Sequence, residues 1–222
     1  MITGVIKSIR NPFGDYYIIN ITTEEKIQWI PGQYGIFKLE EAIEGDKNQR
    51  IFSFASIVEE NEIILGTRTG PSISKYKNVF LNLKPGAQIA IKGAMGKFTL
   101  RDDNDPIVMI AGGVGITPIR SIFKELEKEN SRDVELVFSS MDHYLFFDDL
   151  KAVAENDQKI LVHAVSDPES TQEKIKEMTD KYRNGALYYI SGSPGLIKAI
   201  KALLLDENID EGRIIFDSFT GY

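Results

Sequence analysis

The hydrophobic rhythm of this chain changes once, near Arg101 to Pro106, and that change limits the folds open to it. Before it, short apolar and β-branched runs recur at Ile2 to Ile9, Tyr16 to Ile21, Tyr34 to Leu39, Ile51 to Ile57, Glu62 to Arg68 and Gln88 to Ile91. Such runs have the length and make-up of strands. Asn11-Pro12, Pro31-Gly32, Glu44-Gly45-Asp46 and Pro85-Gly86 punctuate them, which suits a small antiparallel barrel or sandwich with one short helix between Ser74 and Leu83. After the polar stretch, strand and helix alternate. Ile107 to Ala111, Val134 to Ser139, Ile160 to Val165, Ala186 to Ile190 and Ile214 to Phe216 read as strands. Pro118 to Asn130, Asp148 to Glu155, Gln172 to Tyr182 and Gly195 to Asp206 read as the intervening helices. This alternation predicts an α/β domain with a parallel, doubly wound sheet. The expected organisation is an antiparallel β domain over residues 1–100 and an α/β domain over 101–222.

The 222 residues, 42% of them apolar, are enough for two such units with cores of their own. A net charge of -7 repels polyanions and argues against a nucleic-acid partner. There is no cysteine, so disulfides, thiol nucleophiles and Cys-bound iron–sulfur clusters are absent from these residues. His143 and His163 are the only histidines, too few for a three-histidine zinc site. No metal site is expected. The longest apolar stretch, Ile107 to Ile119, is interrupted by Gly112, Gly113 and Gly115 and is too short to span a bilayer. Met1 to Arg10 alternates apolar and polar residues, unlike a secretory leader, and a cytoplasmic location is expected.

Two segments carry candidate chemistry. Gly112-Gly113-Val114-Gly115-Ile116-Thr117-Pro118 lies between a buried strand and an amphipathic helix. Its glycines bring backbone N–H groups close to an anion, and Thr117 as N-cap with Pro118 as first helical residue would aim the helix start at a pyrophosphate. A glycine-rich packing turn is the plainer reading. In Arg50-Ile51-Phe52-Ser53-Phe54, strand alternation puts Arg50, Phe52 and Phe54 on one face and Ser53 on the other. A cation, a flat ring and a hydroxyl suit a ligand with a phosphate and a ring system, although a barrel strand with one surface arginine has the same pattern.

Four motifs in order resemble the ferredoxin–NADP reductase family: Arg50-Ile51-Phe52-Ser53, Gly70-Pro71-Ser72-Ile73-Ser74, Lys92 to Phe98 after Pro85-Gly86, and Gly112 to Pro118. Tyr189 to Pro194 and Phe216 to Phe219 extend the likeness over nearly the whole chain. The resemblance implies a flavin-binding barrel followed by a nicotinamide-nucleotide domain, with hydride passing from NAD(P)H to the flavin N5. FAD rather than FMN is the implied cofactor. Arg50 then resembles the arginine on the flavin phosphate, Phe52 the aromatic lying against the flavin, and Ser53 the residue near N5. Gly70, Ser72, Ile73 and Ser74 resemble the second phosphate-binding turn. Gly112, Gly113, Gly115, Ile116, Thr117 and Pro118 would hold the nicotinamide nucleotide, while Phe219 or Tyr222 would cover the other face of the flavin. Ser53 and Ser191 are the candidate catalytic residues. Many members have Cys-Gly-Pro where this chain has Ser191-Gly192-Ser193-Pro194, so a hydroxyl replaces the thiol near the nicotinamide.

Phe138 to Leu145, just after the second strand of the α/β domain, contains Asp142 and no Lys or Arg to meet a 2′-phosphate. A missing charge-assisted contact of ~2 kcal/mol is roughly a thirtyfold loss, so NADH is expected over NADPH. Phe146 and Phe147 are expected in the core, His143 at a helix entry and His163 on a strand without ligand duty. The function implied is NAD(P)H-dependent flavin oxidoreduction, with electrons passed to an acceptor protein or small molecule. The alternatives are an electron-transfer or regulatory flavin subunit without productive nicotinamide binding, and a free-flavin reductase.

Overall fold

A computed structural model describes residues 1–25, 27–101 and 104–217. The described residues divide into two compact units, one over Met1–Thr99 and one from Leu100 to Asp217.

In the first unit β1 (Ile2–Phe13), β2 (Tyr16–Thr23), β3 (Tyr34–Lys38), β4 (Gln49–Ser53), β5 (Ile63–Arg68) and β6 (Gln88–Met95) form one sheet. Its order is β4-β3-β6-β1-β2-β5, with every neighbouring pair antiparallel. The edges β4 and β5 are drawn together beyond the end of β4. There the Ala55 N–H donates to the Ile64 carbonyl (2.7 Å), and the Ile64 N–H donates to Ser56 Oγ (3.0 Å). Closing the edges in this way removes most of the open ladder that an edge strand exposes. Inward-facing Ile6, Ile19, Ile21, Phe37, Leu65, Ile89 and Ile91 fill the interior. The expected helix is α1 (Lys75–Leu81); it starts where Ser74 Oγ accepts the Lys77 N–H and adds Tyr76 and Phe80 to the same core. β4 starts two residues earlier than the apolar run suggests and stops at Ser53, because the Phe54 N–H turns away to the Gln33 carbonyl.

The second unit contains β7 (Ile107–Gly112), α2 (Ile116–Leu126), β8 (Val134–Ser139), α3 (Phe147–Asn156), β9 (Ile160–Val165), α4 (Pro168–Tyr182), β10 (Leu187–Ser191), α5 (Pro194–Asp206) and β11 (Ile214–Phe216). The strands form a parallel sheet in the order β11-β10-β7-β8-β9. Val108 and Ile110 pack with Ile175 and Met178 of α4 and with Ile200 and Leu204 of α5. Ile107, Met109 and Ala111 point to the opposite face and are also fully buried, so both faces of β7 are covered. α4 begins four residues before its apolar repeat, because Asp167 accepts the Ser170 N–H (2.8 Å) and Pro168 supplies a preset first turn. The core prediction for Phe146 and Phe147 is corrected: Leu145 is the buried residue there, while the two phenylalanines are only half-buried. Phe146 instead lies under the Arg120 guanidinium, 5.2 Å from its ring centre.

Candidate functional site

The strand order of the second unit reverses between β7 and β10. In open parallel sheets ligands bind in the crevice outside the carboxyl ends of the strands at such a point. The residues found there are those of the glycine segment and of Ser191 to Pro194. Ser191 pairs with Ala111 at the ends of β10 and β7, which places Gly112 and Gly192 side by side. A Cβ on Gly115 would come 2.3 Å from the Ser191 carbonyl oxygen and 2.6 Å from the Gly192 nitrogen. Only glycine lets the start of α2 rest directly on the end of β10.

Thr117 does not cap α2. A 3₁₀ turn over Gly113–Gly115 runs straight into the helix, so the cap position falls on Gly115 and provides no side-chain bond. Thr117 and Pro118 are buried inside the first turn, and Thr117 Oγ1 donates to the Val114 carbonyl (2.7 Å), tightening the glycine turn from within. The N–H groups at this helix start are therefore left without a capping side chain, which suits a bound anion. At α5 the situation is the reverse: Ser193 Oγ accepts the Leu196 N–H (3.3 Å) and Pro194 opens the helix. The Ser193-Pro194 pair is thus a helix start. Ser191 is only 1% exposed, and its hydroxyl makes no hydrogen bond among the described residues. Such a buried group needs a partner, and one can come from a ligand in the crevice.

In the first unit Arg50 extends from β4 against α1. Its guanidinium pairs with Asp46 Oδ1 (2.5 Å), donates to the carbonyls of Lys47 (3.1 Å) and Gln49 (2.8 Å), and lies 5.2 Å from the centre of the Tyr76 ring. Asp46 also accepts the Tyr76 N–H (3.0 Å), and these two bonds hold its carboxyl down to about 2. In the glycine turn, Gly70 has φ +68 and donates its N–H to Asp15 (2.8 Å), which pairs with Arg68 (3.1 Å). Ser72 and Ile73 are exposed, and Ser74 is the cap of α1. Lys77 was not anticipated. Its Nζ donates to the Arg68 carbonyl (2.7 Å), and burial, then the charges of Arg50 and Arg68, hold its pKa below the ordinary lysine value. Three cations thus act on one locality beside a turn with φ > 0, a donor set suited to a phosphate or diphosphate. Nothing in the spacing of Arg50, Arg68 and Lys77 reveals this, because they come from three separate elements.

Phe52, expected against the flavin, packs in the barrel interior. Its ring is 7% exposed and stacks on Phe80 (centroids 5.5 Å), with Phe37 edge-on at 5.7 Å. It belongs to the barrel core because the interior face of β4 needs a large apolar side chain between Phe37 and Phe80. Ser53 is buried at the end of β4, opposite Tyr34. Phe219 and Tyr222 lie outside the described residues.

Residues 109–202 match the family described as the oxidoreductase NAD-binding domain. The F subunit of the Na(+)-translocating NADH-quinone reductase of Idiomarina loihiensis is 26% identical over 93% of this chain, and that of Yersinia pestis is 27% identical over the same share. The chain spans 56% of the length of these relatives. The cytochrome P450 reductase GcoB of Amycolatopsis superposes with a TM-score of 0.83 at 22% identity, covering 98% of this chain and 69% of that one. The ferredoxin-NADP+ reductase of Plasmodium falciparum gives 0.82 at 18% identity, covering 97% and 95%. The chain shares the ferredoxin reductase-like fold of these structures.

Within this ferredoxin reductase-like chain, the segment after β8 bears on the choice of nucleotide. Asp142 is exposed, Ser140 Oγ donates to the His143 carbonyl (2.5 Å), and Ser139 Oγ bonds Thr171 Oγ1 (2.9 Å). Burial, then the nearby Asp167 carboxylate, pushes the Tyr144 hydroxyl up. Asp142 and Asp167 thus place carboxylates at this loop, with Arg120 against Phe146 at its end. His163 sits on β9 with Nε2 2.6 Å from the buried Glu135 carboxylate, which also accepts from Lys181 (2.7 Å) and Tyr182 (3.0 Å). Among the described residues no helix is long and apolar enough to cross a membrane, and no group of His, Asp or Glu could hold a metal ion.

Proposed function

We propose that the chain is a flavin-dependent NADH oxidoreductase that takes hydride from the nicotinamide and passes electrons to a separate acceptor. The observation that carries this reading is the pairing, within one chain, of an uncapped glycine-lined helix start at a sheet reversal with a barrel turn served by three cations. The relatives' name, that of an NADH-quinone reductase component, and the names of the structural neighbours support the same chemistry. A bound flavin would accept a hydride and release electrons singly, which is chemistry no side chain here provides.

The protein's own residues bind and orient. Arg50 and Lys77 meet the flavin phosphates, Gly70 gives close backbone approach, and Ser53 lines the end of β4. Ile116 and the glycines Gly112, Gly113 and Gly115 admit the nucleotide diphosphate to the start of α2, with Thr117 and Pro118 holding that turn in shape. Ser191 offers its hydroxyl to the nicotinamide. The anionic loop after β8 disfavours a 2′-phosphate, hence NADH over NADPH. None of these 222 residues is cysteine, so an iron–sulfur acceptor centre would lie outside them. A cytoplasmic setting, where NADH is available, is part of this reading.

The test is spectroscopic. Protein loaded with FAD should show flavin absorbance near ~450 nm that anaerobic NADH bleaches, with NADPH far less effective. Bound flavin that neither nucleotide bleaches would refute the oxidoreductase reading. Arg50→Ala should weaken FAD binding by about tenfold or more, the worth of a charge-assisted hydrogen bond.

A further inference from the structure

Arg50 already holds an anion, and that anion is part of the protein. The Asp46 carboxylate occupies one nitrogen of the guanidinium and, through its second oxygen, the Tyr76 N–H. It sits on the loop between β3 and β4, where Gly45 takes φ +72 and Lys75 Nζ donates to the Glu44 carbonyl (2.8 Å), fastening the loop to α1. The pair is more than four-fifths shielded on both sides, at 17% side-chain exposure each. Arg68 is neutralised differently, by Asp15 at the hairpin between β1 and β2, on a side chain 46% exposed. The one cation of the locality that is both shielded and tied to a local carboxylate is therefore the one aimed at the flavin phosphate.

We infer that Asp46 is an internal competitor for the flavin phosphate on Arg50 and thereby sets how tightly this protein retains its flavin. This rests on the flavin-binding reading above. A phosphate reaching Arg50 must either displace the carboxylate or share the guanidinium with it against like-charge repulsion. In both cases the flavin binds more weakly than the cation count alone would allow. The carboxyl stays ionised at every ordinary pH, so the competition is permanent.

The experiment titrates the full chain, freed of flavin, with FAD and in parallel with riboflavin, which has no phosphate, following quenching of flavin fluorescence. Asp46→Asn, with Asp46→Ala as a second variant, should bind FAD roughly three- to tenfold more tightly, the range for a partly exposed charge pair. Riboflavin affinity should stay within about twofold, since loss of a purely structural tie would move both ligands together. The gain should vanish in the Arg50→Ala background. Glu62→Gln, which removes a charge paired with Lys7 instead, should leave FAD affinity unchanged. Far-UV circular dichroism confirms that each variant is folded. Unchanged or weaker FAD binding by both folded Asp46 variants, with Arg50→Ala still weakening it, overturns this inference and leaves the flavin reading standing. Equal gains for FAD and riboflavin overturn it too. Failure of the parent and every variant to bind FAD overturns both.

Discussion

Substituting Gly115 by alanine separates backbone conformation from packing at the nucleotide crevice. Gly115 has φ -60 and ψ -13, a helical conformation any residue adopts. On conformation alone, alanine should stabilise the protein by about 0.4–1 kcal/mol through the unfolded chain. The tertiary contact opposes this. The new Cβ would lie 2.3 Å from the Ser191 carbonyl oxygen and 2.4 Å from its carbon, against an ordinary carbon–oxygen contact of ~3.3 Å. Both sides are backbone, so α2 or the end of β10 must shift by about an ångström. We expect a net loss of about 3 kcal/mol, the upper part of the range for overpacking. With a slope of about 2 kcal/mol/M, the urea midpoint of the second unit falls by roughly 1.5 M. Gly112→Ala is the internal comparison. Its Cβ comes 2.5 Å from one δ carbon of Leu196, and that side chain can rotate away, so its loss should stay below about 1 kcal/mol. Far-UV circular dichroism follows the α/β unit, while the single tryptophan, Trp29, bonded to the Ser56 carbonyl in the barrel (2.7 Å), reports the first unit. NADH affinity should fall further in Gly115→Ala than in Gly112→Ala. A Gly115→Ala protein as stable as its parent, or a Gly112→Ala protein as damaged as Gly115→Ala, would refute the close-approach argument.

Thr117→Ala removes the bond to the Val114 carbonyl; stability should fall by about 1 kcal/mol and the KM for NADH should rise while FAD binding is retained, measured by urea titration and steady-state kinetics. Burial alone would raise the Glu135 pKa, but hydrogen bonds from Lys181, His163 and Tyr182 outweigh it and hold the group below its ordinary value of 4.5. Its folded pKa being depressed, Glu135 contributes stability that is fully present above pH 4.5 and lost as pH falls through the folded value. Thermal midpoints measured downward from neutral pH should drop below that point, and Glu135→Gln should flatten the drop. Asp142→Arg replaces an exposed anion with a cation and should improve NADPH over NADH by roughly thirtyfold in kcat/KM, the worth of ~2 kcal/mol.

The sequence by itself determined the two-part architecture and nearly every element in it. The barrel runs and the strand–helix alternation are local periodicities, and β8, β9 and β11 have the bounds their apolar runs suggest. The glycine segment was legible for the same reason: its residues are consecutive, so its place after a buried strand follows from the chain alone. Tertiary structure decided which of those residues do what. Thr117 looked like a cap until the 3₁₀ turn carried the helix start back to Gly115, and no local pattern showed that the Phe52 ring packs on Phe80 in the barrel interior. The Asp46–Arg50–Tyr76 contact and the convergence of Arg68 and Lys77 depend on α1 folding back over β4 and β5. Charge interactions act through space, and no local pattern encodes which distant carboxylate will reach a given guanidinium. Periodicity fixes the elements because each depends on near neighbours; the site depends on which elements meet.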